Sequence, residues 1–207
     1  MLRILGRANA SKVRMVLWLA DEIGLRFEQE DWGRGYRSTS EPEFQRLSPF
    51  ARVPIVIDDD RVIREAGTIL RYLARKTGRE DLLPTDLAAA ANVEAWMDWG
   101  GSDLFLGARP VYFALVAKSP SFRDPAVIET GIADWSQEMR TLDRHLATNG
   151  PYLTGERLTL ADFVVGVLVH RWFAIDFAKP HFPAAMAYYE RLSERAHYRH
   201  HVRNGSP

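Results

Sequence analysis

The sequence predicts a small mixed α/β domain followed by an all-helical domain. Two β-branched runs, "PIVI" and "RVI", flank an acidic turn, which is the pattern of a β-hairpin. From Leu87 onward, apolar residues recur at helical spacing and strand signals are almost absent. The character of the chain changes at 79–86, so we expect domains at 1–78 and 87–207 joined by this linker.

Each element is predicted from a local signal. The signals are the spacing of apolar residues, runs of β-branched residues, and glycine or proline residues at the ends of helices and strands. The predicted order in the first domain is a strand at 1–5, a loop at 6–10, a helix that ends on Gly24, a strand at 26–30, a long irregular loop at 31–44, the hairpin, and a helix from Gly67 to Gly78. In the second domain, helical spacing covers 87–117, 125–147, 159–178 and 183–198. The first domain is therefore predicted as β-α-β-loop-β-β-α, and the second as helices only.

Two short patterns in the second domain favour structural roles. In "LTLADF", Thr159 precedes Asp162 by three positions ahead of an apolar run, which predicts a capping box at a helix start. We expect Asp162→Ala to lower stability. The motif "HYRHH" near the C-terminus offers three histidines, but no carboxylate has suitable spacing for a metal site. A solvated or frayed tail is the preferred interpretation.

Composition excludes several classes of protein. Basic and acidic side chains balance at 27 each, which argues against a nucleic-acid-binding surface. There is no cysteine, so any thiol chemistry requires a thiol that arrives with a ligand. No segment resembles a signal peptide, and no apolar run approaches the about 18 residues of a membrane span. We expect a cytoplasmic protein without metal, nucleic-acid or membrane partners.

The order of these motifs resembles the cytosolic glutathione S-transferase family. The resemblance rests on "VLWLADEIGL" with a following "DWG" loop, on "SPFARVPIVIDDDRVIREAGTILRYLA" and on "TLADF", and it is strongest to the bacterial, theta/beta-like serine-type members. It implies a thioredoxin-like N-terminal domain that binds glutathione as co-substrate, and an all-helical domain that lines the electrophile site. It also implies a homodimer that transfers the glutathione thiolate to a small apolar electrophile in detoxification.

The resemblance assigns a glutathione-binding site. It implies a cis bond between Val53 and Pro54, with the Val53 N–H and C=O free to pair with the cysteinyl backbone of glutathione. Without the resemblance, Pro54 reads as the start of an edge strand. Glu65 would pair with the ligand's amino group, or be a helix-start acid favoured by the macrodipole. Ala66 stands where the family usually has serine, so only its N–H can meet the ligand carboxylate. Arg52 would face the glycine carboxylate or be a solvated charge.

The catalytic hydroxyl of serine-type members lies fourteen residues before the glycine that closes the first helix. Counting back from Gly24 reaches Ala10, so this hydroxyl is missing. The neighbouring Ser11 and Asn9 are the candidate replacements for a donor to the glutathione sulfur. Ser11 is equally compatible with a structural role as the helix N-cap.

The predicted helix around 94–113 carries the candidate electrophile pocket, for which we select Trp99, Asp103, Arg109 and Tyr112. The resulting hypothesis is a glutathione transferase that works by thiolate activation and proximity. The alternative is a non-catalytic binding or regulatory protein of the same fold. This alternative is considered because the two hydroxyls that the family usually has at these positions are absent, at Ala10 and Ala66.

Overall fold

Four short strands form one mixed sheet in the computed structural model, which describes residues 1–207. The strands are β1 (Leu2–Leu5), β2 (Phe27–Glu30), β3 (Ile55–Asp58) and β4 (Arg61–Arg64), in the spatial order β2-β1-β3-β4. β1 pairs parallel to β2 and antiparallel to β3, and β3 and β4 form the predicted hairpin. Helix α1 (Ser11–Glu22) connects the parallel pair, which cannot be joined by a tight turn.

Alternate residues of the strands serve two hydrophobic cores. Ile4 and Val56 face the large core, where α1 and α3 (Ala66–Lys76) pack. The adjacent residue in each strand, Leu5 or Ile55, faces the opposite side of the sheet, where Trp32 and Phe44 complete a small second core. Phe44 belongs to α2 (Pro42–Leu47), which begins within the predicted irregular loop. Helix α2 could not be predicted from the sequence, because one buried side chain in six residues produces no helical period.

From Leu87 onward, the chain contains helices and loops but no strand. Its helices are α4 (Leu87–Trp99), α5 (Phe105–Val111), α6 (Pro125–Asn149), α7 (Leu160–Ala174), α8 (Pro183–Ser193) and α9 (Ala196–His201). The predicted helix over 87–117 is nearly continuous, but two π-helical turns, Gly100–Leu104 and Tyr112–Val116, interrupt its α-helical geometry. Helix α7 lies at the centre, with every residue from Leu160 to Trp172 buried. No helix in the structure is both long and apolar enough to cross a membrane.

The capping box is confirmed, and it does more than start α7. The Asp162 carboxylate accepts hydrogen bonds from the backbone N–H of Thr159 at 2.7 Å and of Leu153 at 3.1 Å, and from the Tyr188 hydroxyl at 3.0 Å. Asp162 is fully buried. One carboxylate therefore joins the start of α7, the preceding loop and α8.

The C-terminal segment is not a frayed tail, so that interpretation is wrong. Tyr198 and Val202 are fully buried, and Trp18 of α1 packs against Tyr198 with 4.8 Å between ring centroids. The Asp21 carboxylate lies 2.5 Å from His201 Nε2, and with His200 these groups place three potential metal-ligating atoms within 4.8 Å of one another. Asp21 was not considered as a partner because 180 positions separate it from His201.

Candidate active site

A cleft of about 380 Å³ lies where the loops of the sheet meet the helical part. One wall comes from the start of α1 and from the loops around Arg34 and Arg52. The other wall comes from α5, the π-helical turn that begins at Tyr112, and one residue of α7. Helical departures of this kind often occur at functional sites. The wall that α1 and the loops contribute contains several of the residues selected from the sequence.

The start of α1 points unpaired hydrogen-bond donors at this cleft. Ala10 is the N-cap and provides no side-chain acceptor, so the Ser11 and Lys12 amides at the helix N-terminus have no intrahelical partner. Ser11 lines the cleft with 6% of its surface exposed, and its hydroxyl makes no hydrogen bond within the chain. The N-cap alternative for Ser11 is therefore wrong, since Ser11 is the first residue inside the helix.

Asn9 is placed differently from Ser11. Its side chain is exposed and does not line the cleft. The Asn9 Oδ1 accepts a hydrogen bond of 2.6 Å from the Arg7 guanidinium, and Arg7 does line the cleft. Asn9 therefore contacts the site through Arg7, whereas Ser11 faces it directly.

The segment before β3 presents free backbone groups to the cleft. The bond between Val53 and Pro54 is cis, and Val53 lines the cleft beside the exposed Arg52. Neither the N–H nor the C=O of Val53 is hydrogen-bonded within the chain, because pairing with β1 begins only at Ile55. Gly6 allows this segment to approach α1, since a Cβ at Gly6 would lie 2.9 Å from the Val53 Cβ.

Glu65 and Ala66 lie next to the cleft but do not line it. Glu65 is the N-cap of α3 with a φ of 62°, and its carboxylate lies 3.6 Å from the Lys12 ammonium, which does line the cleft. Ala66 is the first residue of α3 and is buried. Its N–H belongs to the first helical turn, where amides lack intrahelical acceptors.

The structure separates the four residues selected for the electrophile pocket. Arg109 and Tyr112 line the cleft. Trp99 and Asp103 do not, so their selection needs correction. The indole N–H of Trp99 donates to Glu138 of α6 at 3.1 Å. Asp103 is exposed and accepts a 2.7 Å hydrogen bond from the hydroxyl of its neighbour Ser102.

The charge of the cleft was not predicted from the sequence. Its lining contains six basic residues and no acidic residue; the basic residues are Arg7, Lys12, Arg34, Arg52, Arg109 and Arg171. Arg171 is only 5% exposed, and burial lowers its pKa to about 10. Its guanidinium has no carboxylate partner and lies over the Tyr112 ring, 4.0 Å from the centroid. An arginine within the apolar run "FVVGVLVHRWFA" was the signal that could have revealed it.

Comparisons with known proteins agree with this architecture. Residues 3–75 match the family described as "Glutathione S-transferase, N-terminal domain", and residues 125–191 match "Glutathione S-transferase, C-terminal domain". The chain is 28% identical to glutathione S-transferase GstB of Escherichia coli strain K12 over 197 residues, which cover 94% of each chain. It is 31% identical to glutathione S-transferase 3 of Zea mays over 190 residues, 90% of this chain and 83% of the relative.

Solved structures give the same result. The theta-class glutathione S-transferase of Xanthomonas axonopodis pv. citri, solved with glutathione bound, superposes with a TM-score of 0.92 at 31% identity. The superposition covers 97% of this chain and 96% of the other. The two matched domain families and these full-length relatives support one conclusion: the chain belongs to the cytosolic glutathione S-transferase family.

Proposed function

We propose that the protein is a glutathione transferase whose cleft binds glutathione and activates its thiol through Ser11. Family membership supports the reaction class. The observation that carries the assignment of Ser11 is its position, because this largely buried residue begins α1 and lines the cleft with an unpaired hydroxyl. Ser11 thereby replaces the hydroxyl absent at Ala10.

The glutathione site combines backbone groups that have no partner in the chain with the charged side chains of Glu65 and Arg52. The free Val53 N–H donates to the cysteinyl backbone and the free Val53 C=O accepts from it, in the manner of an added strand. Glu65 binds the ligand's amino group, and the Ala66 N–H binds the adjacent carboxylate at the start of α3. Arg52, exposed at the cleft edge, binds the glycine carboxylate.

The chemistry requires only an ionised thiol and a correctly held electrophile. A free thiol has a pKa of about 8.5, so it is mostly protonated at neutral pH. The Ser11 hydroxyl and the free amides of the first turn both favour the thiolate. The thiol proton leaves to solvent, and the thiolate sulfur then forms a bond to the electrophilic carbon. The leaving group departs with its bonding electron pair.

We also propose that residues 1–78 bind glutathione and that residues 87–207 complete the electrophile site. The proposal also includes a cytoplasmic homodimer with a role in detoxification, as the family resemblance implies. Light scattering of the purified protein tests the dimer. The alternative of a non-catalytic binding protein predicts that glutathione binds without ionisation, and it is tested together with Ser11.

The decisive experiment follows the ultraviolet absorbance of the thiolate against pH in glutathione complexes of the wild type, Ser11→Ala and Ser102→Ala. Ser102 is the matched control because its exposed hydroxyl lies outside the cleft. We expect a bound-thiol pKa below that of free glutathione in the wild type and Ser102→Ala. In Ser11→Ala we expect a pKa about one unit higher and kcat/KM about tenfold lower at acidic pH.

Three results would contradict parts of this proposal. An unshifted thiol pKa in the wild type would indicate a carrier or sensor. An unchanged rate in Ser11→Ala would assign the donor role to Asn9 or to the backbone. Absence of glutathione binding in the wild type would indicate a repurposed fold.

A further inference from the structure

The cations of the cleft outnumber the anionic groups that glutathione brings. Glutathione carries two carboxylates, for which the proposed function assigns Arg52 and the Ala66 amide. Lys12 already faces Glu65 at 3.6 Å, and Arg7 is hydrogen-bonded to Asn9. Arg109 and Arg171, which come from the helical part, face the electrophile side and have no assigned anion.

Arg171 differs from the other cleft cations because it is deeply buried. Its Nε has no hydrogen-bond partner, and the side chain that contacts its guanidinium is that of Tyr112. The charged or titratable groups that act on it are Tyr112, Arg14 and Arg7, none of which is a carboxylate. A buried charge without a paired anion costs stability. Its position at the cleft therefore indicates that a ligand supplies the anion.

Arg14 is the other deeply buried arginine of this fold, and only its Nη1 has hydrogen-bond partners, because its Nε and Nη2 have none. Its guanidinium is also buried, but it donates to the backbone carbonyls of Ser206 at 2.8 Å and Val202 at 3.4 Å. Arg14 therefore holds the C-terminal segment against α1. Arg171 has no such carbonyl partners and, unlike Arg14, it lines the cleft, where a ligand can reach it.

Aromatic side chains surround the same part of the cleft. Phe105, Tyr112 and Phe113 line it, and the Arg109 guanidinium lies 5.3 Å from the centre of the Phe113 ring. The Tyr112 ring covers the Arg171 guanidinium. An aromatic or otherwise apolar molecule fits beside these rings, provided that it also presents a negative group to Arg171.

We propose that the electrophile carries a carboxylate or similar anionic group, which binds Arg171 at the floor of the cleft with Arg109 at its rim. This inference rests on the proposed transferase function and deepens it by naming the substrate class. The apolar body of the electrophile packs on Phe105 and Phe113. The anionic group fixes its orientation, so that the reacting carbon faces the thiolate at Ser11.

Two matched electrophiles test the proposal. Chlorodinitrobenzoate and chlorodinitrobenzamide, each with chlorine para to the carboxyl-derived group, differ mainly in charge. With either one, the thiolate forms a carbon–sulfur bond and chloride leaves with its electron pair. The variants are Arg171→Met, which removes the charge, Arg171→Lys, which keeps it, and Arg140→Met. Arg140 is an exposed arginine on α6 outside the cleft.

We expect the wild type and Arg140→Met to prefer the benzoate. Arg171→Met should lower kcat/KM for the benzoate by about tenfold or more, as expected for a lost charge-assisted contact. It should leave kcat/KM for the benzamide and the KM for glutathione within about twofold. Arg171→Lys should retain part of the preference.

A binding measurement separates this inference from the proposed function. Calorimetric titration with the unreactive pair nitrobenzoate and nitrobenzamide needs no turnover. Tighter binding of nitrobenzoate that is lost in Arg171→Met supports the anion site even if no transferase reaction is detected, in which case the proposed function alone fails.

Three outcomes would overturn the inference. The first is equal binding of the two analogues by the wild type. The second is an equal loss of activity with both electrophiles in Arg171→Met, which would indicate a structural role. The third is an effect confined to the KM for glutathione, which would assign Arg171 to a carboxylate of glutathione itself.

Discussion

The guanidinium of Arg171 lies over the ring of Tyr112, with its central carbon 4.0 Å from the ring centroid. Arg171 belongs to the most buried helix of the protein, and Tyr112 begins a π-helical turn at the edge of the cleft. The face of the Tyr112 ring attracts the desolvated guanidinium through a cation–π interaction, which is weaker than an ion pair. The unpaired charge of Arg171 therefore lowers the stability of the free protein, and in our proposal the same charge binds the anionic group of the electrophile.

Arg171→Met is expected to stabilise the free protein by about 1–2 kcal/mol, because an unpaired buried charge is replaced by an apolar side chain of similar length. Urea unfolding at neutral pH measures the change, and Arg140→Met provides the exposed control. A clear loss of stability in Arg171→Met alone would mean that the guanidinium makes a stabilising contact within the folded chain.

Glu65→Gln is expected to weaken glutathione binding by about tenfold, because a charged contact to the ligand's amino group becomes a neutral one. The pKa of the bound thiol should change little, since Glu65 lies outside the cleft lining near Ser11. Calorimetry with glutathione measures the affinity. Glu94→Gln is the control, because Glu94 pairs with Arg71 away from the cleft. Equal damage to affinity and thiol pKa would show that the site is arranged differently.

Asp162→Ala is expected to lower the free energy of unfolding by about 2–4 kcal/mol. The substitution leaves the buried N–H groups of Thr159 and Leu153 and the Tyr188 hydroxyl without their acceptor. Asp124→Ala is the matched control, since Asp124 caps α6 at the exposed surface through one hydrogen bond of 2.9 Å to Ala126. We expect a loss of about 1 kcal/mol there. Similar losses in both variants would refute the conclusion that the buried Asp162 carboxylate holds α7, the preceding loop and α8 together.

The stability of the protein should depend on His170 between pH 6.5 and 4. Burial lowers the pKa of His170 to about 4, so the unfolded chain binds a proton on this side chain first as the pH falls. Stability is then lost across this window, by about 3 kcal/mol when the folded pKa is reached. Unfolding curves of the wild type and His170→Gln, measured at several pH values, should converge as the pH falls.

Asp162 acts in the opposite direction over part of the same window. Burial raises the pKa of Asp162 to about 6, so the folded protein takes up a proton there first and gains stability as the pH falls from about 6 to the ordinary range of an aspartate. The comparison with His170→Gln cancels this contribution, because both proteins retain Asp162. A pH-independent difference between the two curves would contradict the lowered pKa of His170.

The fold class and the order of the four strands and most helices were predicted correctly from local patterns, while α2 and the break between α8 and α9 were not. The β3–β4 hairpin is visible in its β-branched runs, and the start of α7 in the spacing of Thr159 and Asp162. These signals involve residues within a few positions of one another, where period, turn and cap preferences act directly. The family resemblance is likewise carried by short motifs, and the two family matches and the full-length relatives confirmed it.

Neighbours across the fold could not be predicted in the same way. Helix α9 packs on α1 although Trp18 and Tyr198 are far apart in the chain, and the aspartate beside His201 comes from α1. Trp99 and Asp103 have suitable residue types for a pocket, but packing against α6 and exposure to solvent place them elsewhere.

Local patterns thus establish the strands, the helices and the family of this protein, because each depends on contacts within a short stretch of chain. The charge of the cleft was decided by tertiary packing alone. Lys12, Arg52 and Arg171 lie in α1, a loop and α7, and only the docking of helices on the sheet brings them to one surface. A charge count that balances over the whole chain therefore gave no sign of a cleft lined by six cations.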